Sequence, residues 1–169
     1  VLGSAMAGNL VNSGFTVIGY DTVAEKRAAL EEGGGQSGTS PKDVADRSDV
    51  VILCLPTADV LHAVADKLKD GGGEGQIILD VSTFAIADKE KARDTLAEVC
   101  KILLDCPVSG NRSLALKKQL TAFVSGDEAA YEAVKHIIDG FAHRKFYVDE
   151  FGCGMKMKFC GNILNLVHN

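Results

Sequence analysis

Four continuous apolar runs govern what this chain can fold into: FTVIGY (15–20), DVVILCLP (49–56), GQIILDVS (75–82) and KILLDCPV (101–108). A strand with one wet face alternates apolar and polar side chains. These runs do not, so each needs cover on both faces. Helices on both sides of a parallel sheet supply that cover, and the segments at 4–13, 23–32, 41–46, 57–69 and 86–99 carry helical patterns. Ser40-Pro41 has the cap-then-proline form of a helix start, while EEGGGQ and DGGGEG are glycine-rich stops for the helices before them. The β-α-β-α rhythm predicts an α/β fold on a doubly wound, mostly parallel sheet. A later unit adds a strand at 120–126, a helix at 127–139 and a strand at 144–148, and GCGMKMKFCGNILNLVHN (152–169) reads as one helix.

With 169 residues, 46% of them hydrophobic, the chain has the size of one domain with a sizeable core. The expected division is a sheet domain over 1–151, wanting one more strand at its front, and a helix over 152–169 leading out of it. Net charge is −5, and the basic clusters KK (117–118) and HRK (143–145) are short enough to be solvated surface. Nucleic acid is therefore not an expected partner. Nor is a membrane, since no apolar run approaches the ~18 residues of a bilayer span. Cys54, Cys100, Cys106, Cys153 and Cys160 form an odd, scattered set without a C-x-x-C pair. They read as reduced thiols of an intracellular protein, cytoplasmic or in the mitochondrial matrix, with no metal centre.

The opening VLGSAMAGNL (1–10) places Gly3 and small residues at the head of a helix, as in the rear half of a dinucleotide loop. Eighteen residues past Gly3, after the run 15–20, stands Asp21. A carboxylate about 20 residues beyond such a loop accepts hydrogen bonds from the adenosine ribose in a Rossmann-type fold, and it repels a 2′-phosphate. Asp21 thus favours NAD over NADP. Taken alone it could simply cap the helix at 23–32, but Gly3, the strand, Asp21 and the β-α rhythm together favour half a nucleotide site. Ligands of doubly wound sheets lie beyond the carboxyl ends of the strands. Those ends carry Leu55-Pro56 and Ser82-Thr83, which also suit turn punctuation and helix capping.

At this point the residues resemble the β-hydroxyacid dehydrogenases, the family of 3-hydroxyisobutyrate dehydrogenase, with 6-phosphogluconate dehydrogenase a more distant relative. LGSAMAGNLVNSGF (2–15) is similar to that family's M-G-x-x-M-A-x-N-L loop and helix. DCPVSGN (105–111) is similar to its substrate loop D-A-P-V-S-G-G, and GCGMKMKFCGN (152–162) to G-x-G-x-x-x-K-x-x-N-N. The resemblance implies that Lys158 is the catalytic lysine and that Asn162 contacts substrate. It implies Ser109, Gly110 and Asn111 around the substrate carboxylate, and Leu2, Gly3, Asp21, Leu55, Pro56 and Thr83 against the cofactor. Asn111 stands where the family has a second glycine, and Gly161 where it has the first asparagine of a pair. Both departures bear on substrate identity.

The implied reaction is reversible oxidation of a short β-hydroxy acid to its semialdehyde or keto acid, with NAD as cofactor and NADP as the second option. Substrates of the 3-hydroxyisobutyrate, tartronate semialdehyde or succinic semialdehyde type follow from the resemblance. So does an all-α domain beyond Asn169 through which a homo-oligomer forms. Two other readings stay open. One is an enzyme of the 6-phosphogluconate kind, although RSLALKK (112–118) lacks that branch's E-E-G-A-R-type stretch. The other is a non-catalytic relative that binds nucleotide as a sensor or scaffold.

The chemistry also stands on the residues themselves. Hydride transfer to or from a hydroxyl-bearing carbon needs a group to carry the hydroxyl proton, and a lysine can do so once burial lowers its pKa from ~10.4. Lys158 and Asn162 are four apart, on one helix face that continues through Asn165 to Asn169, opposite Met157, Cys160, Leu164 and Val167. On helix geometry alone Lys158 is equally a solvated lysine, and Lys156 an equal candidate. The Ser109 hydroxyl and neighbouring N–H groups are donors suited to a carboxylate, while a tight turn accounts for the same Pro and Gly.

Overall fold

The computed structural model describes residues 2–168, and the side chains of all these except 165, 166 and 168. In chain order the elements are α1 (Leu2–Asn12), β1 (Ile18–Gly19), α2 (Ala24–Glu32), β2 (Gln36–Ser37), α3 (Pro41–Asp46), β3 (Val50–Leu53), α4 (Ala58–Leu68) and β4 (Ile77–Asp80). There follow α5 (Ile86–Ala97), β5 (Ile102–Asp105), β6 (Val108–Ser109), α6 (Arg112–Leu116), β7 (Leu120–Val124), α7 (Glu128–Ile138), β8 (Ala142–Tyr147) and α8 (Cys153–His168). The α/β alternation and the parallel β3-β4-β5 sheet are as the sequence predicts.

Adjacent residues of one strand enter different cores. Leu79 and Leu104 join Met6 and Leu10 of α1 and Val134 and Ile138 of α7. Ile78 and Leu103 join Leu61, Ala65 and Leu68 of α4 and Ala92 and Leu96 of α5. This two-sided burial is why the runs are continuous rather than alternating. Helix starts are set locally: the Ser40 hydroxyl accepts from Asp43 N–H at 3.1 Å ahead of Pro41, and Asp127 accepts from Ala130 N–H at 2.7 Å.

Three elements differ from expectation. The run KILLDCPV splits at Cys106-Pro107 into β5 and β6. Cys106 N–H still reaches Asp80 O at 3.0 Å, but Pro107 has no N–H to extend the parallel ladder. The chain pairs instead with β7, antiparallel, through Val108–Ala122, Ser109–Thr121 and an isolated Asp105–Ser125 bridge. The short α6 and the two-residue β2 carry too little periodicity to be read from sequence. FTVIGY is laddered only at Ile18–Gly19, against β2. Among the described residues β1 pairs only with β2, and β3 only with β4, so each keeps one edge without a ladder partner.

Candidate functional site

The carboxyl ends of the strands gather most of the residues singled out in the sequence. At β3, Gly3 of α1 lies against Cys54, where an added Cβ would sit 3.4 Å from the Cys54 Cβ. Leu55 N–H donates to Ser82 Oγ at 2.9 Å, which ties the end of β3 to the end of β4 and brings Leu55-Pro56 beside Ser82-Thr83. Pro56 and Thr83 are exposed, Leu2 and Leu55 half-buried.

Asp21 follows β1 with its side chain 37% exposed. Its Oδ1 accepts from Val23 N–H at 2.9 Å and its Oδ2 pairs with Lys26 at 3.2 Å. Val23 is the residue before α2, so the carboxylate orders the entry to the helix rather than bonding its first turn. Partial burial raises its pKa, but the Val23 N–H and the Lys26 ammonium outweigh this and hold the carboxyl below its usual range. Arg27 sits alongside, donating to Asp21 O at 2.5 Å and lying 5.9 Å from the Tyr20 ring centre. These residues fit a dinucleotide: an ionised acceptor at the end of β1, apolar Leu55 and Pro56 at β3, and the Thr83 hydroxyl beyond β4.

The loop after β5 holds the substrate-side candidates. Ser109 is half-buried. Gly110 has φ +138°, and a Cβ there would lie 2.6 Å from the Leu120 Cδ2, so only glycine turns the chain here. Asn111 has a job of its own. Its side chain accepts from Leu114 N–H at 3.0 Å and caps α6, a signal legible in N-R-S-L only as a general capping preference.

Lys158 and Lys156 are not equivalent. Lys156 is exposed, with its ammonium 3.9 Å from the Cys153 sulfur. Lys158 is half-buried, and that burial lowers its pKa. Asn162, one turn on, is exposed. The apolar stripe Met157, Leu164 and Val167 is exposed at 46%, 59% and 75%. The extension of the polar face through Asn165 to Asn169 lies outside the described side chains.

The beginning of α8 is seated on the loop after β5. A Cβ on Gly154 would lie 2.6 Å from Phe123 O, 3.0 Å from Asp105 Oδ2 and 3.2 Å from the Pro107 Cδ, so the helix can approach this closely only without a side chain there. Beneath the contact is a charged cluster that the sequence patterns above did not single out. Lys89, Asp80 and Asp105 all have fully buried side chains, and Asp80 and Asp105 are register partners at the ends of β4 and β5. The Lys89 Nζ lies 2.5 Å from Asp105 Oδ1 and 3.3 Å from Asp80 Oδ2, and donates to Ser82 O at 2.9 Å and Asp80 O at 3.2 Å. Burial raises the pKa of Asp80 against the pull of Lys89 and the Ser82 bonds. Two signals in the sequence mark this cluster. The runs IILD and ILLD both end in aspartate, and Lys89 falls on the buried α5 stripe with Ala92 and Leu96.

Residues 1–152 match the family described as the NAD binding domain of 6-phosphogluconate dehydrogenase. Mitochondrial 3-hydroxyisobutyrate dehydrogenase of Rattus norvegicus is 27% identical over 166 residues, covering 96% of this chain and 50% of its own. An NAD-dependent L-serine dehydrogenase of Pseudomonas aeruginosa is 30% identical over 168 residues, covering 96% of this chain and 57% of its own. Among solved structures, Mycobacterium tuberculosis 3-hydroxyisobutyrate dehydrogenase with L-serine superposes with a TM-score of 0.93 at 25% identity, over 96% of this chain and 56% of that one. The chain spans about half the length of the curated relatives it matches.

Proposed function

The chain belongs to the β-hydroxyacid dehydrogenase family, through an NAD-binding domain of the 6-phosphogluconate dehydrogenase type, and from this premise we propose that it supplies the cofactor site and proton-carrying lysine of an NAD-dependent β-hydroxyacid dehydrogenase. The observation that carries the reading is Lys158: half-buried, with its pKa lowered, on a helix whose first turn is pressed against the PVSG loop. The substrate is a short β-hydroxy acid or its semialdehyde. Ser109 Oγ and nearby N–H groups hold its carboxylate, the Asn162 amide orients it, and the Lys158 amine takes or returns the hydroxyl proton. Leu2, Gly3, Asp21, Leu55, Pro56 and Thr83 would hold a nicotinamide cofactor, which would supply the hydride acceptor or donor. Among the described residues the β1 and β3 edges have no ladder partner, which supports one further strand in the intact sheet. The exposed apolar side chains of α8 support a following all-α domain that covers them and joins copies into an oligomer. Free cysteines, as all five are here, suit a compartment that keeps thiols reduced.

Two measurements test this in the longest native chain containing these residues. In a turnover screen of short β-hydroxy acids, Lys158→Ala should cut kcat by about 100-fold or more, the scale of general acid–base assistance, with NAD affinity near that of the parent. Lys156→Ala should do little, and equal losses would mean that the lysine is wrongly assigned. Asp21→Ser should narrow the preference for NAD over NADP. It removes the repelling carboxylate and frees the Lys26 ammonium, 3.2 Å away in the parent, for a 2′-phosphate. A parent that already uses NADP as well as NAD would sink the role of Asp21.

A further inference from the structure

We propose that Lys89, Asp105 and Ser125 are positioning residues for Lys158: together they lock the first turn of α8 onto the ends of β4 and β5, and so fix where the Lys158 amine meets the substrate. The inference rests on the role given to Lys158 above.

A helix begins with four N–H groups that have no partner within it, and a neighbouring side chain usually takes one. In α8 two of them are taken from far away. Gly154 N–H donates to Ser125 Oγ at 2.9 Å, across 29 residues, and Met155 N–H donates to Asp105 Oδ2 at 2.9 Å, across 50. Ser125 Oγ in turn donates to Asp105 Oδ2 at 3.1 Å. The carboxylate therefore sits at the positive end of the helix, where its charge is favoured. Its other oxygen holds Lys89 at 2.5 Å, and Lys89 grips Ser82 O, the carbonyl immediately before Thr83.

One line of buried hydrogen bonds thus joins the cofactor side of the site to the catalytic helix. It runs from Ser82 O through Lys89 and Asp105 to Met155 N–H, three residues short of Lys158. A buried ion pair contributes little net stability compared with packed apolar side chains. What this one does provide is direction: its oxygens and ammonium set both the depth and the rotation of the first turn of α8, and Lys158 follows one turn later. Gly154 agrees, since the seat leaves no room for a Cβ.

The test uses Ser125→Ala in the longest native chain, a change that keeps the Lys89–Asp105 pair but leaves the buried Gly154 N–H without its acceptor, so a cooperative melt only a few degrees below that of the parent would verify the fold. Amide hydrogens of 154–158 should exchange about tenfold faster or more. The kcat should fall about 10- to 100-fold, the scale of a small misplacement at a reacting centre, with KM and NAD affinity within about twofold of the parent. The limb of the pH–rate profile that Lys158→Ala abolishes should also move. Asp105→Asn should show the same pattern, more strongly. Unchanged kcat and pH profile in Ser125→Ala, in a parent that turns over β-hydroxy acids, would overturn this inference alone. A parent with no such turnover would overturn the proposed function and this inference together.

Discussion

Two lysines are buried at opposite edges of one sheet, and they are held in opposite ways. Lys101, 5% exposed, precedes β5 at the amino edge. Its ammonium donates to Leu68 O at 2.6 Å, to Gln76 Oε1 at 3.0 Å and to Gly71 O. Gln76 passes the contact on to Ala45 O and Ser48 O, at 2.9 and 2.7 Å. This cage of neutral dipoles fastens the ends of α3 and α4 to the start of β4, far from the site. Lys89 at the carboxyl edge meets charge instead, in Asp105 and Asp80. A carboxylate accepts more bonds than one ammonium uses. The remaining capacity of Asp105 reaches Ser125 and α8, so the arrangement extends into the site rather than ending at the lysine. Burial of an ammonium is satisfied in both places, but only one of them can transmit position.

The largest expected effect is from Lys89→Met. It leaves Asp80 and Asp105 facing each other without their cation, and breaking a buried pair in this way costs about 3–5 kcal/mol. Urea unfolding should show this loss, together with a drop in kcat in whatever fraction remains folded. Lys101→Met comes next. It strands carbonyl acceptors that were bonded, for about 1–3 kcal/mol, and should lower the urea midpoint while leaving kcat per folded molecule unchanged. If Lys101→Met lowered kcat as much as Lys89→Met, the difference between the two edges would be one of stability only.

The sheet on which this contrast stands was legible in the sequence in outline, but the two lysines were not. Continuous runs such as IILD and ILLD demanded cover on both faces, and Ile78/Leu79 and Leu103/Leu104 divide between two cores accordingly. Pairing set by a missing donor, as at Pro107, escaped because an apolar run looks the same whether it forms one strand or two. The roles of Lys89 and Asp105 escaped for a different reason. Their partners Ser125, Gly154 and Met155 lie far along the chain, and helix periodicity treats a lysine as surface. Lys158 was legible as a candidate through the family resemblance, since helix geometry alone made Lys156 its equal, and the two differ in burial.

The smallest predicted effect concerns the second acid of the Lys89 cluster. Asp80 and Asp105 are register partners, yet Asp80 Oδ2, beside Lys89 at 3.3 Å, has no well-aligned hydrogen bond, while Asp105 serves Lys89, Ser125 and α8. Burial raises the pKa of Asp80 above the ordinary carboxylate value. The folded protein therefore binds this proton more tightly than the unfolded chain does. Its favourable contribution is complete below the unfolded value and is lost as pH rises through the folded one. Asp80→Asn removes that titration and keeps an acceptor for Ser82 N–H. The stability of Asp80→Asn relative to the parent should therefore improve as pH rises from about 4 toward neutrality, with kcat nearly unchanged. Urea midpoints of both proteins across that range would measure it. A difference that stays constant with pH would mean that Asp80 is as well held as Asp105, and that the asymmetry between the two acids has no energetic weight.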